Sequence, residues 1–145
     1  MNTSHIKLAS VLIACLTSAS VSVSAQTLKK IDDSNKITVS YRESSIPFSY
    51  VPTAGKQPVG FAVDLTEAIV NDVKKRLNKP NLEVLYIPVN GQNRIPLLVN
   101  GTYDLECGST TNTAARGKEV SFAVSHFYAG TRLLAKKASN IKSYS

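Results

Sequence analysis

Three short strand-like runs, Lys36–Tyr41, Leu82–Ile87 and Tyr103–Cys107, alternate with two segments of helical periodicity. This alternation constrains the fold more than any other feature. Strands joined through a helix lie parallel, because a parallel crossover needs a dozen or more residues. Strand, helix, strand, helix, strand therefore predicts an α/β fold with a mostly parallel sheet. Lys36-Ile37-Thr38-Val39-Ser40-Tyr41 alternates polar and apolar residues as a half-buried strand does. In Asp64–Asn78 the residues Leu65, Ile69, Val73 and Leu77, with Ala68, form the expected apolar stripe. Asp64 and Glu67 have capping-box spacing, and Asn78-Lys79-Pro80 is the stop. A second, short helix is expected over Arg94–Val99, with Pro96 in its first turn and Asn100-Gly101 as its end. Gln26–Asn35 reads as a polar lead-in with one helical turn around Leu28 and Ile31. Thr53–Lys56 reads as an exposed turn, and Phe127–Lys137 as a further extended stretch.

Ahead of this pattern, Met1–Ala25 has the form of an export signal. Lys7 precedes the apolar run Leu8–Leu16, and Val23-Ser24-Ala25 offers an A-x-A-like cleavage site before Gln26. The run is shorter than the ~20 residues a bilayer span needs. Leu12-Ile13-Ala14-Cys15 also resembles a lipobox, a second reading in which Cys15 is lipidated. After cleavage at Ala25 only Cys107 remains, so the mature part of this chain forms no internal disulfide. Asn140–Ser145 reads as the start of another element, which predicts a chain cut short.

The 145 residues carry 17 Lys+Arg against 10 Asp+Glu, a formal +7. An exported chain whose lysines lie among Asp32, Asp33, Glu67 and Asp72 is not expected to meet nucleic acid. The surplus reads instead as a solvated surface plus a small anion site. In open α/β sheets, ligands bind beyond the carboxyl ends of the strands. Three polar clusters fall there: Arg42-Glu43-Ser44-Ser45, Gly91-Gln92-Asn93-Arg94, and Ser109-Thr110-Thr111 followed by Arg116. A guanidinium matches a carboxylate through two parallel hydrogen bonds. Three of them exceed what one carboxylate needs, so a dicarboxylate is the expected ligand. Arg76 and Arg132 read as ordinary surface residues, and Ser109 and Thr111 also suit the capping of a turn. Cys107 reads as a small buried hydrophobe. His126 has no ligand spacing for a metal, no G-x-S-x-G elbow is present, and no metal or cofactor is expected.

With these residues in view, a resemblance emerges. Val59-Gly60-Phe61-Ala62-Val63-Asp64-Leu65 resembles the G-F-x-x-D-L segment of the polar amino-acid solute-binding proteins of ABC importers. Arg94-Ile95-Pro96-Leu97-Leu98, Gly101-x-x-Asp104 and Thr111-x-x-x-x-Arg116 continue the pattern in order. Arg42–Tyr50, Gln92–Leu98 and Glu106–Asn112 are similar, more narrowly, to the glutamate/aspartate-binding members. The resemblance covers nearly all the mature chain but only about the first half of the family's. It implies a type II periplasmic-binding-protein fold: a signal peptide over 1–25, an incomplete first lobe over 26–137, and a crossover toward a second lobe beginning at 138–145. It implies a monomeric periplasmic receptor that closes on glutamate or aspartate and delivers it to an inner-membrane permease. Arg116, Thr111 and Ser109 would then serve the α-carboxylate and α-amino group, and Arg42 and Arg94 the distal carboxylate. Gly91 stands where the family often has Ser, which leaves only backbone contacts there. A periplasmic dehydratase-like enzyme with Glu43 as its acid or base is the alternative on this scaffold. A ligand-sensing ectodomain and a non-functional fragment are the others, and a 145-residue product alone is expected to bind weakly.

Overall fold

A computed structural model describes residues 23–53, 55–130, 132 and 134–140, the side chains from Gln26 onward. The expected signal segment up to Ser22, the Cys15 lipobox and the last residues of the expected crossover, 141–145, lie outside the described residues. The described residues up to Thr110 form one compact unit, and those from Thr111 a second.

The first unit is built on a three-stranded parallel sheet of order β4-β1-β5, with β1 Lys36–Arg42, β4 Glu83–Val89 and β5 Leu105–Glu106. Helix α2, Phe61–Arg76, connects β1 to β4, and α3, Arg94–Val99, connects β4 to β5. The expected α/β architecture is thus present. The central strand differs from a half-buried one, because Ile37 through Ser40 are buried without interruption. A parallel strand flanked on both sides is covered on both faces. Thr38 and Ser40 therefore join Ile37 and Val39 inside. β4 runs past the expected Ile87 through Pro88 to Val89. Proline is tolerated there because β4 is an edge strand with one free side.

The core joins Ile37 and Val39 to Val70 and Val73 of α2, to Leu82, and to Ile31. Ile31 belongs to α1, Val23–Ser34, a full helix where only a lead-in with one turn was expected. Three tethers explain its order. Ile31 is 2% exposed, Lys30 Nζ pairs with Asp104 at 2.8 Å, and Lys79 Nζ pairs with Asp32 at 3.1 Å. The expected cleavage point after Ala25 falls in the first turn of this helix.

Helix α2 begins three residues before Asp64, so the expected capping box does not form. Gly60 is the N-cap and supplies no side-chain bond, and Asp64 sits in the first turn, where an acidic group favours the helix dipole. The buried face is Ala62, Val63, Thr66, Val70 and Val73, with Ile69 and Leu77 partly buried. It is displaced from the expected stripe: Ala68 is exposed and Leu65 half-buried. Thr66 is admitted to this face because its hydroxyl donates to Ala62 O at 2.8 Å. Asn78 ends the helix in the left-handed region at φ 53°, as an Asn at that position readily does.

Between β1 and α2 lies an antiparallel hairpin, β2 Ser44–Ser45 with β3 Ser49–Tyr50, extended by a bridge from Tyr50 to Val59. The Ile46–Pro47 peptide within it is cis. Phe48 and Phe61 stack edge-to-face at 6.4 Å, joining hairpin to helix. The expected turn at Thr53 is present, with Gly55 N donating to Pro52 O. In the second unit, Arg116–Lys118 and Lys137–Ser139 form 3-10 turns. The stretch expected to be extended from Phe127 contributes no strand among the described residues. No helix of the described residues is long and apolar enough to cross a membrane.

Candidate functional site

Because the strands are parallel, their carboxyl ends leave the sheet along one edge. Arg42 is in register with Val89, and Ser40 with Glu106. The segments 42–45, 90–94 and 107–110 therefore emerge side by side.

Arg42, the last residue of β1, is half-buried. Its backbone is held by a residue that sequence reasoning missed. Ser49 Oγ, 1% exposed, accepts from Arg42 N and donates to Arg42 O, both at 2.8 Å. A lone serine flanked by Phe48 and Tyr50 in the hairpin was the available signal. Glu43, the possible acid or base of the alternative reading, is exposed, and its carbonyl accepts from Val51 N.

The loop into α3 is closed by reciprocal asparagine bonds. Asn90 Oδ1 accepts from the N–H groups of Gln92 and Asn93, and Asn93 Oδ1 accepts from Asn90 N at 2.8 Å. Short Asn side chains replace ladder bonds in this way at turns. The closure sets Arg94 as the first residue of α3. Gly91 is exposed in this turn, and a Cβ there would meet nothing within 4 Å.

Arg94 is the most unusual residue of the group. It is 8% exposed, and its Nε and Nη1 are buried with no hydrogen-bond partner. A buried donor left unmade costs roughly 1–3 kcal/mol, more when charged. Its nearest counter-charge is Glu106, with Nη1 to Oε1 at 3.7 Å. Glu106 Oε1 accepts from Thr110 Oγ1 at 2.7 Å, and Oε2 lies 3.1 Å from Tyr103 OH. Tyr103 OH also donates to Arg94 O at 2.6 Å. Burial, reinforced by the Glu106 charge, pushes the Tyr103 phenol far above its ordinary range. Thr110 belongs to an expected polar cluster, but no role was expected for Glu106 or Tyr103. Glu106 stood in the sequence only as the first residue of the block Glu106–Asn112, and Tyr103 as the neighbour of Asp104.

Beyond β5, Ser109 Oγ lies 3.3 Å from Ser45 Oγ, which joins the first and third polar segments. Cys107 is buried and free, and burial raises its thiol pKa. In the second unit, Arg116 is partly exposed and its Nη1 donates to Thr111 O at 3.0 Å. Arg116 N donates to Thr113 Oγ1 at 3.3 Å, and the N-cap of this turn is Ala115, without a side-chain bond. Arg76 is paired with Asp72 on the surface, and Arg132 is exposed.

Comparison with known proteins follows the same lines. Residues 37–143 match the model of the bacterial extracellular solute-binding proteins, family 3. An L-glutamate/L-aspartate-binding protein of Pseudomonas aeruginosa is 49% identical over 94% of this chain and 46% of its own. A glutamate/aspartate import solute-binding protein of Escherichia coli is 53% identical over 81% of this chain and 39% of its own. The chain thus spans less than half the length of these curated relatives. Among solved structures, domain 1 of the arginine-binding protein TmArgBP, in its arginine-bound form, superposes with a TM-score of 0.59 at 28% identity. That match covers 71% of this chain and 74% of the other. The chain belongs to the bacterial extracellular solute-binding proteins, family 3.

Proposed function

We propose that the chain is the ligand-binding part of an extracytoplasmic receptor for L-glutamate and L-aspartate, which hands its ligand to an ABC permease. The observation that carries this reading is Arg94: a buried guanidinium whose Nε and Nη1 make no hydrogen bond within the protein, and whose nearest counter-charge stands off at 3.7 Å, is suited to receive a carboxylate. Arg42, its backbone clamped by Ser49, supplies a second cation at the neighbouring strand end. These two serve the distal carboxylate. Arg116, Thr111 and Ser109 serve the α-carboxylate and α-amino group, and Gly91 offers backbone contacts only. Three guanidinium groups less the Glu106 carboxylate beside Arg94 leave two positive charges, which a ligand with two carboxylates satisfies and its amide does not. The names of the relatives from Pseudomonas and Escherichia coli support the same ligand class.

Met1–Ala25 acts, on this reading, as the export signal, with the receptor monomeric in the periplasm. The work is binding rather than turnover. The test is calorimetry on the complete product of the gene, titrated with L-glutamate and L-aspartate. Saturable binding is expected, and Arg116→Ala should lose about 2–5 kcal/mol of it, the usual effect of removing one partner of a charged hydrogen-bonded pair. Unchanged affinity in that variant would refute the assignment of Arg116. Turnover of a cyclic acid without amino-acid binding would favour an enzyme.

A further inference from the structure

We infer that Glu106 is a positioning residue: its buried carboxylate holds the Arg94 guanidinium ready for an anionic ligand and ties it to the Ser109 end of β5. The inference rests on the acidic-amino-acid reading above and adds to it a residue that acts through Arg94.

The geometry separates charge balance from hydrogen bonding. The Arg94 and Glu106 side chains are 10% and 8% exposed, and the nearest N···O distance is 3.7 Å. That separation is an ion-pair contact, but it lies beyond the roughly 2.7–3.2 Å of an N–H···O hydrogen bond. Glu106 therefore neutralises the buried cation without using its donors, and Nε and Nη1 remain unpartnered. A carboxylate so close to an arginine normally closes into the bidentate pair. Here it is held back by Thr110, whose Oγ1 donates to Oε1 at 2.7 Å. Tyr103 is 1% exposed, and its single proton is already directed to Arg94 O at 2.6 Å. The same phenol thus fixes the backbone of Arg94 and borders its counter-ion. Thr110 follows Ser109, whose hydroxyl reaches Ser45 beside the Arg42 segment. One buried carboxylate links the α3 start to the end of β5.

The test is calorimetry on the complete gene product with L-glutamate and L-glutamine. Glu106→Gln keeps the size and an acceptor for Thr110 but removes the charge. Loss of the held geometry is expected to weaken both amino acids, and loss of the neighbouring carboxylate to raise the glutamate-to-glutamine preference at least tenfold, because Arg94 is then left without its counter-charge. A purely structural role would lower the melting temperature and leave that ratio unchanged, and an unchanged ratio overturns the inference. Thr110→Val, which keeps the charge and frees Oε1 to close on the Arg94 donors, should instead lower that ratio, and it decides the matter if Glu106→Gln does not fold. If the unaltered protein takes up neither amino acid, the acidic-amino-acid reading fails instead. The melting temperatures of Arg94→Met, Glu106→Gln and the double variant then judge the pair. A double variant more stable than Arg94→Met alone supports it, and additive losses refute it.

Discussion

Asp104 carries the register of the strand that leads to Glu106 and Ser109, and removing it gives a sharp prediction. Its side chain is 5% exposed. Oδ2 accepts from Thr38 N at 2.9 Å, and Oδ1 pairs with Lys30 Nζ at 2.8 Å. Its own N–H donates to Thr38 O at 2.8 Å, so backbone and side chain together lock β5 onto β1. Asp104→Ala leaves the N–H of the buried Thr38 without a partner, which costs about 1–3 kcal/mol. It also forfeits an ion pair whose lysine is 53% exposed, a loss of at most about 1 kcal/mol. The expected total is about 1–4 kcal/mol. Asp104→Asn retains an oxygen for Thr38 and should lose about 1 kcal/mol, and Lys30→Met should lose less than about 1 kcal/mol. Urea unfolding at constant m-value gives the three numbers as shifts of midpoint. A Lys30→Met loss equal to that of Asp104→Ala would refute the reasoning, because the surface ion pair would then outweigh the buried backbone bond.

Three other outcomes follow from single positions. Gly60 lies at φ +124°, and a Cβ there would stand 2.7 Å from the carbonyl oxygens of Pro47 and Phe48; Gly60→Ala should cost at least about 1–3 kcal/mol from backbone strain alone, read by urea unfolding. Tyr103 has its phenol pKa raised by burial and by Glu106, so the unfolded chain ionises first. The stability Tyr103 contributes is therefore complete below its unfolded pKa of about 10 and is lost as pH rises beyond that, and Tyr103→Phe should flatten the alkaline fall in melting temperature. Gly91→Ser should leave stability within about 0.5 kcal/mol, because the position is open, and should tighten L-glutamate binding in calorimetry by adding a hydroxyl to the backbone contacts.

The alternation of strands and helices and the bounds of α3 were legible because periodicity and turn residues report local structure. Arg94–Val99 has the bounds that Pro96 and Asn100-Gly101 imply. What escaped reading was set by contacts between distant residues. The helical lead-in α1 is ordered by Ile31, by Lys30 on Asp104 and by Lys79 on Asp32, and none of these partners is near in sequence. The α2 stripe was misplaced because Thr66 counts as polar in a pattern, yet satisfies itself on Ala62 and goes inside. The arginines were found by their place after strands. Their supports, Ser49 under Arg42 and Glu106 beside Arg94, looked like ordinary polar residues, because a sequence shows neither burial nor the partner seven or twelve positions away.

The central claim is that guanidinium groups from separate segments are matched to a ligand bearing two carboxylates. Parallel calorimetric titrations of the complete gene product with L-glutamate and L-glutamine test it most directly. The account predicts a preference for L-glutamate of at least about 30-fold, the equivalent of about 2 kcal/mol for one charged pair. Equal affinities for the acid and its amide would contradict it.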